Sequence, residues 1–83
     1  MNQPPDRDAD RLAVEFVRRV RTEAAGDDRI EVRGLDVTEE MGLTPAAGLE
    51  LIRDAEQRGW VVVSAECGRW VRITAKGLAP NGR

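Results

Sequence analysis

Asp36-Val37-Thr38-Glu39-Glu40-Met41-Gly42-Leu43-Thr44-Pro45 is the stretch on which the fold of this chain turns. Asp36, with Glu39 three positions on, has the spacing of a capping box, so a short helix is expected from Asp36 to Gly42. Val37 and Met41 stand one helical turn apart and share a face. Gly42 is a stop signal and Leu43 an apolar plug. Thr44 then serves as an N-cap with Pro45 at the first helical position. The stretch therefore predicts two helices joined by a turn too short to hold anything else.

Downstream, Gly48, Leu51, Ile52 and Ala55 recur at helical spacing, and Gly59 closes the helix with Arg58 in its last turn. A glycine in a helix interior costs about 1 kcal/mol relative to alanine, so Gly48 suggests that another helix comes close. Trp60 to Ala65 is valine-rich and reads as a strand. Glu66-Cys67-Gly68 reads as a turn, and Arg69 to Thr74 returns as a second strand. Val61, Val63, Val71 and Ile73 are the expected inner face of this hairpin.

Upstream, Ala9, Leu12, Ala13, Phe16, Val17, Val20 and Ala24 form one apolar stripe on a helix expected over residues 7–25, with Gly26 as its stop. Asp6, Asp8 and Asp10 suit its start, and Arg18, Arg19 and Arg21 suit its end. Asp27-Asp28 makes a turn. Arg29-Ile30-Glu31-Val32-Arg33 alternates like a half-buried strand, which needs the hairpin as its partner. The expected core joins Leu12, Phe16, Val20, Val37, Met41, Leu51 and Ile52 to the inner hairpin valines. Residues 1–5 read as a disordered lead, 6–78 as one domain and 79–83 as a flexible tail.

Composition removes several classes of function. Eighty-three residues make one small domain. The chain has no histidine and one cysteine, so histidine-based catalysis and the common zinc sets are out of reach. It shows no glycine-rich phosphate loop, and the pairs Asp27-Asp28 and Glu39-Glu40 read as solvated surface. Neither an enzyme nor a cofactor is expected. The longest aliphatic run is Val61-Val62-Val63, so no membrane span is expected. MNQPPDRDAD lacks the apolar core of a secretory signal, and with a single thiol this suggests a cytoplasmic protein. Cys67 reads as an incidental thiol at the hairpin turn, with redox sensing as the other reading.

The net charge is −2, yet residues 1–44 sum to −4 and residues 45–83 to +2. A polyanion would meet the C-terminal half first.

The order helix, short strand, helix, tight turn, helix, hairpin resembles the winged helix-turn-helix family. Three pieces carry the resemblance: Val37 to Thr44, Glu56-Gln57-Arg58-Gly59-Trp60-Val61 at the end of the third helix, and the closing Ile73-Thr74-Ala75-Lys76-Gly77. It covers most of residues 9–78 and implies an α+β fold: three helices, a C-terminal β-hairpin wing and a short extra strand between helices 1 and 2. It further implies a small transcriptional regulator whose third helix enters the major groove of duplex DNA while the wing follows the backbone. On that reading the exposed positions Ala46, Ala47, Glu50 and Arg53 face base edges, and Arg53 alone has a guanidinium for guanine or phosphate. Thr44 and the amides at the start of the helix would receive a phosphate, with Arg58, Arg69, Arg72 and Lys76 beside the hairpin.

A second reading stands beside it. The acidic total, the apolar positions Ala46, Ala47 and Leu49, and the outward hairpin residues Val62 and Trp70 also suit a protein interface or a homodimer. Trp60 is expected to fold back into the core, leaving Trp70 as the aromatic interface residue.

Overall fold

The structure, a computed structural model, describes residues 6–65 and 69–77. Its elements are α1 (Asp6–Glu23), β1 (Val32–Arg33), α2 (Gly34–Glu40), α3 (Pro45–Gln57), β2 (Val61–Ala65) and β3 (Trp70–Ile73). Three helices pack on one face of an antiparallel sheet of order β1-β3-β2, an α+β domain. The expected lead at residues 1–5, the turn with Cys67 and Gly68, and the tail at 79–83 lie outside the described residues. Among the described residues no helix is long and apolar enough to cross a membrane.

The junction of α2 and α3 forms as its residues require. Gly42 adopts φ +84, a left-handed conformation open to glycine at no steric cost, and Leu43 donates its amide back to the Thr38 carbonyl at 3.1 Å. Leu43 tucks against the core. Thr44 caps α3, its Oγ1 accepting from the Ala47 amide at 3.2 Å, with Pro45 at the first position. Gly48, Leu51, Ile52 and Ala55 are the buried stripe of α3. The reason for Gly48 is Thr38 of α2: a Cβ at position 48 would overlap Thr38 Oγ1 and stand 3.0 Å from Thr38 Cβ. Thr38 is buried, and its hydroxyl donates to the Leu35 carbonyl at 3.1 Å.

At the other end of α3, Trp60 donates its amide to the Ala55 carbonyl at 3.0 Å and folds its ring into the core, as expected. Thr74 fastens the hairpin to this corner. Its amide donates to the Trp60 carbonyl at 3.0 Å, its hydroxyl donates to the Gly59 carbonyl at 2.6 Å, and the same oxygen accepts from the Gly77 amide at 3.0 Å. A side chain at Gly77 would run into the Trp60 carbonyl. Thr74 and Gly77 thus have a structural task at the foot of the hairpin.

Three expectations are corrected. Leu12 is 39 % exposed rather than core; Ala13, Phe16, Val17 and Val20 carry the α1 face. The stripe is broader than the buried strip of the helix, and Leu12 falls at its edge. The strand before α2 is only Val32–Arg33, and Ile30 is 42 % exposed. β3 offers partners to those two residues alone, Val32 opposite Val71 and Arg33 opposite Trp70. Finally, α2 begins at Gly34, not Asp36, with Arg33 at the N-cap and no side-chain cap. The Gly34 amide donates to the Arg69 carbonyl at 2.9 Å, so the chain passes straight from strand pairing into helix. Asp36 falls in the first helical turn, 3.9 Å from the Arg33 guanidinium. The Asp27 turn is present: Asp27 Oδ1 accepts from the Arg29 amide at 2.9 Å, and hydrogen bonding from the Arg29 side chain and amide holds this carboxyl below its usual pKa.

The fully buried residues include Phe16, Ile52, Ile73, Val17 and Val61. Phe16→Ala is expected to cost about 4 kcal/mol, a large part of the stability of a domain this small. Gly48→Ala is expected to cost about 1–3 kcal/mol despite its gain in helix propensity, because Thr38 must move. Urea unfolding followed by circular dichroism checks both; a Gly48→Ala protein as stable as the parent would contradict the close contact.

Candidate nucleic-acid interface

Helix α3 exposes Ala46, Ala47, Glu50 and Arg53 to solvent, with Leu49 half-buried. This outward side divides in two. Toward α1, Ala47, Glu50 and Asp54 border a shallow hollow of about 290 Å³ floored by Leu12, Leu43 and Leu51. Toward the hairpin, Leu49, Arg53 and Glu56 meet Val63 and Arg69 across a narrow crevice of about 20 Å³. The structure thus brings Arg53 of α3 and Arg69 of the hairpin to one crevice, although sixteen positions separate them in the chain.

Arg69 reaches this place through its backbone. It adopts φ +54, in the left-handed region that side chains rarely occupy, and its carbonyl accepts the Gly34 amide. Among the described residues, Arg53, Arg69, Arg72 and Lys76 form no ion pair. Among the described residues Glu56 is the one carboxylate lining the Arg53–Arg69 crevice.

Arg58 is engaged differently. Its Nη1 meets Asp10 of α1 at 2.6 Å and its Nε meets Asp54 at 3.0 Å, while the guanidinium lies 5.1 Å above the Trp60 ring. Hydrogen bonding to Asp54 first, and then to Asp10, raises the Arg58 pKa above its usual value against the opposing effect of burial. Two carboxylates therefore balance this cation, and the group ties α1 to the end of α3. The partner Asp10 is 48 positions away, so nothing in the local sequence marks it.

Lys76 lies alongside the last turn of α3, its Cδ 3.6 Å from where a Gly59 Cβ would stand. Arg72 is elsewhere. It stands opposite Val62 on the outer face of the sheet, the face that also carries Trp70. Leu49 belongs to the α3 crevice, so the three residues expected at a protein interface do not form one surface.

The expected anion site at the start of α3 shrinks to a single amide. Pro45 has no N–H, the Ala47 amide is used by Thr44 Oγ1, and the Gly48 amide donates to the Thr44 carbonyl at 2.8 Å. The Ala46 amide, in the first turn, is left without an intrahelical acceptor. Among the described residues no group of histidine, cysteine and carboxylate side chains has the arrangement of a metal site.

Sequence reasoning missed Ile30. The alternation from Arg29 to Arg33 predicts a half-buried strand, yet Ile30 is exposed and lines a cleft of about 300 Å³ with Trp70, on the β1 side of the sheet. The only signal in the sequence was its position next to the turn at Asp27, where strand pairing has not begun.

Arg58→Ala removes both ion pairs and the cover over Trp60. It is expected to lower stability by about 1–2 kcal/mol and to shift the Trp60 emission to longer wavelength. Denaturant unfolding with tryptophan fluorescence checks it. No protein-family model matches the chain, and neither does any curated protein or solved structure.

Proposed function

We propose that this domain is a winged helix-turn-helix module that binds duplex DNA through α3 and the β2–β3 hairpin. The observation that carries the reading is the convergence of Arg53 and Arg69, both without an ion pair among the described residues, where α3 meets the hairpin. The element order and the tight α2–α3 junction support it. In this reading α3, about 20 Å long at 13 residues, lies along the major groove. Arg53 takes a guanine edge or a phosphate, and Arg69 takes a phosphate of the flanking backbone. Lys76 and the Ala46 amide reach the backbone at opposite ends of α3. Arg58, balanced by Asp10 and Asp54, holds the scaffold and adds little to the contact.

The exposed face of α3 also carries Glu50 and Glu56, so its field is mixed. Binding is therefore weak in a single copy and strongly dependent on salt. About three or four phosphate contacts give a log–log salt slope near −3.

Fluorescence anisotropy with a labelled duplex at low salt tests the proposal. Arg53→Ala and Arg69→Ala are each expected to weaken binding about tenfold, and Glu56→Gln to strengthen it. Absence of binding up to high micromolar protein at low salt would overturn the reading.

A further inference from the structure

The β1 side of the domain carries a cleft of about 300 Å³, separate from the α3 crevice. The end of α1, strand β1 and helix α2 border it, with Trp70 of β3 at its margin. Two large apolar side chains stand exposed there, Ile30 at 42 % and Trp70 at 37 %, and the buried Val32 and Val37 line the cleft with them.

The rim is acidic. Among the described residues, Glu23, Glu31, Asp36 and Glu40 line it against one cation, Arg33, which is 3.9 Å from Asp36. No ion pair engages Glu23, Glu31 or Glu40 among the described residues. The local chain explains this excess: residues 23–40 hold seven carboxylates against two arginines, and one of these, Arg29, is turned to Asp27 at 3.2 Å. Arg72 of β3 stands level with Glu31, by the register of Val32 with Val71, and offsets one charge more. The excess remains negative.

The cleft also follows an open sheet edge. In the order β1-β3-β2 the outer side of β1 has no neighbouring strand among the described residues. The Gly34 amide bonds to the Arg69 carbonyl, and such bonds alternate along an antiparallel ladder. The amides of Glu31 and Arg33 therefore point away from β3, on the side of the open edge.

We infer that this cleft docks a basic, extended segment of a partner protein. One apolar side chain of the segment sits between Ile30 and Trp70, and flanking lysines or arginines meet Glu31 and Glu40. Charge complementarity selects this occupant: the rim repels an acidic segment or a nucleic acid. A free cation gains nothing from Ile30 and Trp70, whereas an apolar anchor buries them. An extended backbone pairs with the free edge at Glu31, as a helix does not. A second copy does not supply such a segment from its described strands. Its other edge strand, β2, has no cation over Val61–Ala65, and its Arg53 and Arg69 line a crevice. The inference does not rest on DNA binding, because the cleft and the Arg53–Arg69 crevice share no residue.

Titration of the full chain at low salt with a short capped peptide alternating lysine with valine and leucine tests the inference, read by tryptophan emission. Trp60 is buried, so a change in emission reports Trp70. The expected result is a saturable shift to shorter wavelength, absent when glutamate replaces lysine in the peptide. Glu40→Lys is expected to weaken binding about tenfold; position 40 ends α2, where a cation suits the helix, so the fold is kept. Ile30→Glu separates docking from general attraction. It adds negative charge, so attraction alone would tighten binding, whereas a seated anchor predicts a loss of about tenfold. Circular dichroism checks that the variant folds; were it not to fold, a peptide alternating lysine with serine, which keeps the charge without the anchor, decides instead. No emission change up to millimolar peptide overturns the inference, as does equal binding of the lysine–serine peptide or tighter binding by Ile30→Glu. Self-association without peptide that Glu40→Lys abolishes, read by sedimentation velocity against 9.2 kDa, puts a second copy in the cleft and likewise overturns it.

Discussion

The contact of Gly48 with Thr38 governs how this small domain is arranged. Helix α3 can approach α2 closely only because position 48 has no side chain, and the buried Thr38 is acceptable there because its hydroxyl is satisfied within its own helix. This contact, with the four-residue turn between the helices, sets the direction of α3. Its buried stripe of Leu51, Ile52 and Ala55 then faces the core, and Ala46, Glu50 and Arg53 are left outside. The hairpin inherits its place from the far end of α3, where Trp60 enters the core and Thr74 binds the Gly59 carbonyl. One close approach thus leads to the meeting of Arg53 with Arg69.

Cations in the C-terminal half fall into two kinds. Arg58 is held by carboxylates from two helices and lies over an aromatic ring, an arrangement that stabilises the corner between α1 and α3. Arg53, Arg69, Arg72 and Lys76 remain without ion pairs among the described residues. The first kind serves the scaffold, and the second is left without a carboxylate partner among the described residues. The division further separates Arg53 and Arg69, at the helix crevice, from Arg72, on the outer sheet face. A domain with a net charge of −2 can therefore present a local cationic crevice.

Much of the fold was legible because local rules and tertiary packing agree. The junction from Gly42 to Pro45, the inner stripe of α3, the burial of Trp60 and the inward valines of the hairpin are all as the sequence predicts. The candidate site was legible only as a list. Arg53 and Arg69 stood among several exposed cations, and only the structure joins those two while tying Arg58 to Asp10. Leu12 and Ile30 fit apolar periodicities yet stand at the edges of the surfaces those periodicities describe. Asp36 and Glu39 have capping-box spacing, but pairing of Val32 and Arg33 with β3 and the bond from Gly34 to Arg69 draw the helix start upstream.

By itself the sequence determined the helices, their stop signals and which face of each would be buried, since these follow from backbone preferences and apolar periodicity over a few residues. Tertiary structure alone decided where β1 ends and α2 begins, which arginine is balanced by which carboxylate, and which exposed residues share a surface. Those outcomes depend on hydrogen bonds and charge pairs between residues tens of positions apart. Their distances exist only once the chain has closed on itself.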